Sequence, residues 1–288
     1  LIRIGLAGWG DHPSLYRHAR QARGKLAAYA DWFDIVEVDA SFYAIQPERV
    51  TARWASGTPD GFGFIVKAYQ GMTGHARGGA PFADTASMFA AFRASIEPMR
   101  AAGKLLAVLF QYPPWFDCTR GHVDKLREAR ARMDGIPCAL EFRNRTWFEG
   151  GMRERTLAFM KREGWIHSVC DEPQAGEGSI PIVEEATDAG LTIVRFHGRN
   201  AAGWNAGGPG WRDVRYLYRY SEAELEEWAR RLGRLAARSE TVCVIFNNNS
   251  GGDAADNALQ LMCMLGQRPP RGSFDRPEEP EQMDLFEL

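Results

Sequence analysis

The sequence predicts a single (β/α)8 barrel of the TIM type, and three observations predict it. Eight short apolar runs recur along 288 residues. Helix-length segments separate most of them, and most of the runs end in a charged or amide residue. Strand, helix, strand repeated along a chain requires a parallel sheet. Closing eight such strands gathers their ends into one ring, where polar residues build a site above an apolar core. An open dinucleotide-binding sheet fits less well. Its Gly-rich fingerprint is absent after the first run, where Gly8-Trp9-Gly10 leads into Asp11-His12-Pro13.

The predicted strands are Ile2–Ala7, Ile35–Asp39, Gly61–Ala68, Leu105–Gln111, Cys138–Asn144, Ile166–Asp171, Leu191–Gly198 and Thr241–Asn248. Gly, Pro or Asp turns bound most of them. Several are apolar on both faces, as a strand covered on both sides must be. Between them Met88, Phe89, Phe92, Ile96 and Met99 recur at helical spacing. So do Leu225, Trp228, Leu232 and Leu235, behind a capping box of Ser221 and Glu224. The last helix spans Ala254–Leu265 and is stopped by Gly266 and Pro269-Pro270. The link from Asp171 to Leu191 is irregular, so the sixth helix is expected to be short or missing. A Gly-rich loop, Asn200–Gly210, follows the seventh strand as a connector, a lid or a phosphate nest. The barrel domain is read as residues 1–266. Residues 267–288, rich in Pro, Arg and Glu, are read as a disordered tail.

Composition excludes several classes. A net charge of -2 argues against a basic, non-specific nucleic-acid coat. Five cysteines, an odd number with no C-x-x-C pair, give neither a disulfide framework nor a Cys-based zinc site, so a reduced, cytoplasmic protein is expected. No signal peptide is read at the start, and no apolar stretch reaches membrane-spanning length. Of the basic residues five are Lys and thirty are Arg; most of that bias is assigned to genome composition rather than to ligand recognition.

The strand ends carry the candidate site. Glu37 and Asp39 share a face of the second strand, Glu141 and Arg143 of the fifth, and Arg195 and His197 of the seventh. Lys67, Gln111, Asp171 and Asn247 end four others. Charges there are costly to turn into the helix layer, so they are expected to line the mouth. Glu141 and Glu37 are the candidate proton-exchanging pair, with His197 as a third catalytic candidate. Lys67, Arg143 and Arg195 would hold an anion or stabilise developing negative charge, and Asn247 would orient it. The competing reading is an ion-pair plug closing the barrel top. Trp9, Phe42, Tyr43, Trp115, Trp147 and Trp204 gather near strand ends as candidate stacking surfaces, though for any single one capping of the core is favoured. No cofactor is predicted. A divalent metal on His75, His197, Glu141 and Asp171 has no support from local spacing.

These segments resemble the YecE-like family (domain of unknown function 72), whose members have TIM-barrel structures. The resemblance runs through Gly5 with Gly8-Trp9; Val36 to Tyr43; Phe64 with Val66-Lys67 and Thr73-Gly74-His75; Phe110 to Pro114; Glu141-Phe142-Arg143 with Trp147; Arg195 to Gly198; and Phe246 to Asn248 with Asn257-Ala258. It implies the fold and the position of a pocket, but no reaction. Ala7, Asp39 and Asn144 stand where the family often has Ser, Asn and His. Some members have been likened to the endonuclease IV fold, but this chain lacks the dense His, Asp and Glu set of a three-zinc site.

The tail ends in Gln282-Met283-Asp284-Leu285-Phe286, which resembles the bacterial sliding-clamp binding pentapeptide. Leu285 and Phe286 would enter an apolar pocket and Gln282 would bond at its rim. Two functions follow as expectations. One is a hydrolase-like enzyme on a phosphorylated, nucleotide, nucleic-acid or sugar-like substrate. The other is a non-catalytic DNA-maintenance accessory brought to replication sites by its tail.

Overall fold

The computed structural model describes residues 1–16, 24–76, 81–176, 178–208, 210 and 214–270. Eight parallel strands close into a barrel in sequence order: β1 Ile2–Ala7, β2 Ile35–Val38, β3 Gly63–Lys67, β4 Leu105–Gln111, β5 Cys138–Glu141, β6 Trp165–Asp171, β7 Leu191–Phe196 and β8 Thr241–Phe246. β1 closes the ring against β8, with Ile2 beside Val242 and Leu6 beside Phe246. The proposed architecture is therefore present. All eight strands fall within a residue or two of their expected starts, while β2, β3, β5, β7 and β8 stop short of their expected ends as the chain turns into loops.

Two apolar layers hold the barrel. Ile35, Ile65, Leu109, Ala139, Ile166, Ile193 and Ile245 form one buried cluster inside it. The alternate strand residues, among them Val36, Phe64, Phe110, Leu140 and Phe196, join the larger cluster under the helices. Successive strand side chains point to opposite faces, so this division fixes the direction of every later residue on each strand. The interior is tight at β1, where a Cβ on Gly5 would lie 2.2 Å from the Ile35 carbonyl oxygen.

The helices follow their sequence signals. Thr85–Ala101 buries Met88, Phe89, Phe92, Ile96 and Met99. Glu222–Ala236 starts at the Ser221–Glu224 capping box and buries Leu225, Trp228, Leu232 and Leu235. The final helix spans Asp253–Met264, with Gly266 beyond it at φ 69. Between β6 and β7 the described residues contain no helix; an extended strap takes its place. Thr187 ties the strap to β6, its hydroxyl donating to the Trp165 carbonyl (2.7 Å) and accepting from the His167 N–H (2.8 Å). No helix among the described residues is long and apolar enough to cross a membrane. The pentapeptide residues Gln282, Leu285 and Phe286, and the tail beyond residue 270, lie outside the described residues.

Candidate functional site

Parity builds the site. Glu37 stands two residues beyond interior Ile35, Lys67 beyond Ile65, Gln111 beyond Leu109, Glu141 beyond Ala139, Arg195 beyond Ile193 and Asn247 beyond Ile245. On β6, Ser168, Cys170 and Glu172 continue the interior row begun by Ile166. All of these therefore converge at the carboxyl end of one barrel, where such folds place their chemistry.

At the centre is a buried charge network. Arg195 clamps Glu37 with two bonds, Nη2–Oε1 2.5 Å and Nε–Oε2 2.8 Å. Its Nη1 reaches Glu141 at 2.7 and 2.9 Å. Arg143 lies 2.6 Å from Glu141 through Nη2 and 2.5 Å from Glu172 through Nη1. Ser168 donates its hydroxyl to Glu141 (3.2 Å), and the Ile180 N–H donates to Glu172 (2.7 Å). Arg195, Glu37 and Glu141 have no exposed surface.

Three carboxylates share two guanidinia here, and the shares are unequal. Burial raises Glu141, but Arg143 and Arg195 together outweigh it and hold its carboxyl well below the usual range. At Glu37 burial outweighs Arg195 and the more distant Lys67, and the carboxyl is pushed up to about 7. At Glu172 burial likewise outweighs Arg143 and the Ile180 N–H, and the carboxyl is pushed up to about 7. The protonated form is thus favoured at the two ends of the network, Glu37 and Glu172, and disfavoured at Glu141 between them.

His197 completes the network. Its Nε2 lies 2.9 Å from Arg143 Nη2 and 3.3 Å from Arg195 Nη1. Guanidinium groups only donate, whereas the Glu141 Oε1 3.5 Å away only accepts, so Nε2 sits between donors and an acceptor. Burial, reinforced by both guanidinia, holds His197 well below its ordinary value. Asn247 lies 3.1 Å from Nδ1.

Above this floor the mouth is open and mixed. Lys67 Nζ lies 3.4 Å from Asp39 Oδ1 and 5.1 Å from the Phe42 ring centroid. His75, edge-on to Phe42, is held down at about 4 by burial and by the fields of Lys67 and Arg143. Gln111 is half-buried at the end of β4, and its amide makes no hydrogen bond among the described residues. Trp204, buried, covers Arg143 at 5.6 Å.

The geometry corrects several expectations. Glu37 and Glu141 do converge, but both are sealed and clamped, so neither is placed to exchange a proton with a ligand directly. His197 is likewise committed to two guanidinia. Asp171 does not face the mouth. It points into the helix layer, where Arg199 holds both its oxygens at 2.9 Å and the Trp228 indole donates at 2.6 Å. These bonds offset the burial that raises Asp171 and that had argued against this orientation. Trp147 also packs outside the barrel, stacked on Phe142 at 4.0 Å, with its indole donating to the Phe116 carbonyl. Trp9 is half-buried and edge-on to Trp54; Tyr43 stays 53% exposed at the rim. The four-residue metal set is not assembled, because Asp171 faces away. Among the described residues Glu141, Cys170 and His197 do cluster tightly enough for an ion, but the guanidinia already occupy the Glu141 and His197 donors. Glu172, Cys170 and Ser168 belong to the site and were not anticipated.

The chain is similar to known proteins over nearly its whole length. The family described as "Protein of unknown function DUF72" matches residues 3–283. The UPF0759 protein YunF of Bacillus subtilis is 57% identical over 288 residues, covering 99% of this chain and 100% of that one. The crystal structure of a DUF72 family protein from Enterococcus faecalis is similar, with a TM-score of 0.88 at 34% identity over 97% of this chain and 99% of that one. Another, from Thermotoga maritima, gives 0.78 at 28% identity over 93% and 100%. With the family model matched over nearly the whole chain and a relative 57% identical, the chain belongs to the DUF72 family.

Proposed function

We propose that this barrel is a hydrolase-like enzyme acting on a small anionic substrate, a phosphorylated, nucleotide or nucleic-acid fragment, brought to DNA by its C-terminal pentapeptide. The observation that carries the reading is the half-open Lys67–Asp39 pair, 3.4 Å apart, standing on a sealed charge network. A buried network of this kind is a poor stabiliser, since well-packed apolar residues of similar volume hold a core as well or better. Its retention at the functional end of the barrel favours a role in fixing the mouth. Lys67 receives the anion, Asp39 takes the proton, and the Asn247 amide orients the ligand. Glu37, Glu141, Arg143, Arg195 and His197 position these groups.

The test is thermal stabilisation by inorganic phosphate, sugar phosphates, nucleoside monophosphates and short single strands. At least one class should raise the unfolding temperature, and Lys67→Met should abolish the effect without changing the fold. Asp39→Asn should keep binding and lose turnover. No shift with any of these probes, or equal shifts in Lys67→Met, removes the reading.

The sealing of Glu37 and Glu141 favours a second reading, a ligand-binding or DNA-maintenance accessory without turnover. It is supported if a bound probe is recovered unchanged from both the native protein and Asp39→Asn.

A further inference from the structure

Beside the mouth lies a second concavity that the charge network does not use. It measures about 340 Å³ and opens between the turn Gln70–Met72, the helices Thr85–Ala101 and Arg120–Arg132, and the loop after β4. That is within the lower range of small-molecule sites, which combine apolar walls with a few placed polar groups.

Its walls are aromatic. Phe116 stacks on Tyr112 on one side and on His122 on the other, with centroids 4.1 Å apart in both cases. Phe89 and Met88 supply further apolar surface. Trp115 stands at the edge, 54% exposed, in a chain that buries Trp147, Trp165, Trp204 and Trp228 almost completely. The polar edge is specific as well. The Asp117 backbone oxygen at 2.9 Å and carboxylate at 2.8 Å both face His122 Nδ1. Acceptors on that side keep the proton on Nδ1. Nε2 makes no hydrogen bond among the described residues, so it is open to a ligand N–H.

The concavity is joined to the mouth. Thr73, on its wall, lies 2.9 Å from His75 Nδ1. The His75 ring meets Trp115 at 5.9 Å and Phe42 at 5.1 Å, and Lys67 stands over Phe42. A ligand with a flat ring at one end and an anion at the other fits this path.

We propose that the cavity bordered by Phe116, His122 and Trp115 is a subsite for a heteroaromatic ring whose attached anionic group is held at Lys67. The ring stacks on Trp115 and the Phe116 group, and its polar edge bonds to His122. The proposal deepens the mouth reading above and rests on it for the anionic end only.

Calorimetric titration separates the two. The probes are adenosine and uridine 5′-monophosphates, the free nucleosides and inorganic phosphate. A monophosphate should bind at least ten-fold more tightly than phosphate alone. Trp115→Ala, at an exposed position, and Ala129→Phe, which fills the cavity, should each remove most of that gain and leave phosphate binding unchanged. Lys67→Met should weaken phosphate and monophosphates alike. Monophosphates that bind no better than phosphate, or that are indifferent to Trp115→Ala and Ala129→Phe, overturn the subsite. Nucleosides that bind and lose affinity in Trp115→Ala, with phosphate ignored by the native protein, uphold the ring subsite and overturn the anionic mouth.

Discussion

Arg195 holds Glu37 in a two-bonded fork across the barrel, although 158 residues separate them in sequence. The same guanidinium reaches Glu141 on its other side, so one side chain joins β2, β5 and β7. Removing it leaves two sealed carboxylates short of a partner. Arg195→Met should cost about 3–5 kcal/mol, the range for breaking a buried ion pair from one side. Glu37→Gln, which keeps an acceptor for the guanidinium, should cost less. Denaturant unfolding of the two variants checks the order.

Glu172 gives a pH signature. Burial lifts its folded value to about 7 from an ordinary 4.5. A carboxyl with a raised folded value contributes stability that is complete below about 4.5 and is lost as pH rises through about 7. Glu172→Gln cannot lose that proton. The variant should therefore gain stability relative to the native protein as pH rises from about 4.5 to above 7. Comparing the pair cancels the opposite slope of the buried His167 and His197, whose lowered values make the fold lose stability as pH falls below about 6.5. A difference that stays flat with pH would count against the charge sharing described for Arg143.

Asp171 is predicted to be structural. Its carboxylate fixes Arg199 and the Trp228 indole, linking β6 to the helix Glu222–Ala236. Asp171→Asn should cost about 1–3 kcal/mol, as expected when a buried charged partner is withdrawn. Ligand affinity at the mouth should be unchanged, measured with whichever probe stabilises the native chain.

At the other end of the chain, Leu285→Ala/Phe286→Ala should abolish capture of the protein by an immobilised bacterial sliding clamp. The native chain should be retained. Equal recovery of both would remove the recruiting role of the pentapeptide.

The barrel was legible because its strands are short, apolar and evenly spaced, and because side-chain alternation is local. The same alternation placed Glu37 with Asp39 and Arg195 with His197 correctly. It was not carried far enough on β6. Counting from interior Ile166 puts Ser168, Cys170 and Glu172 inside and turns Asp171 outward. The adjacent acids Asp171 and Glu172 therefore had to face opposite layers, and the wrong one was chosen. What alternation cannot supply is the partner. Arg199 lies 28 residues beyond Asp171, and nothing in spacing shows that its fork would make an outward carboxylate tolerable. Nor does spacing show that Arg195 would be consumed by two acids instead of facing a ligand. Trp147 packs into the core, the role favoured for any single strand-end aromatic, but its partner Phe142 could not be read from spacing, because the stack is a contact and not a pattern.

The strap that replaces a helix between β6 and β7 affects how protons travel. A helix satisfies its own backbone, whereas this stretch borrows partners such as the Gln174 amide and the Glu172 carboxylate. Segments with few internal bonds open more readily than the helices around them. Glu172 sits at the root of the strap, one step from Arg143. The flank is therefore the expected route by which water equilibrates with the inner charges. Their protonation could then follow bulk acidity even while a ligand stoppers the top.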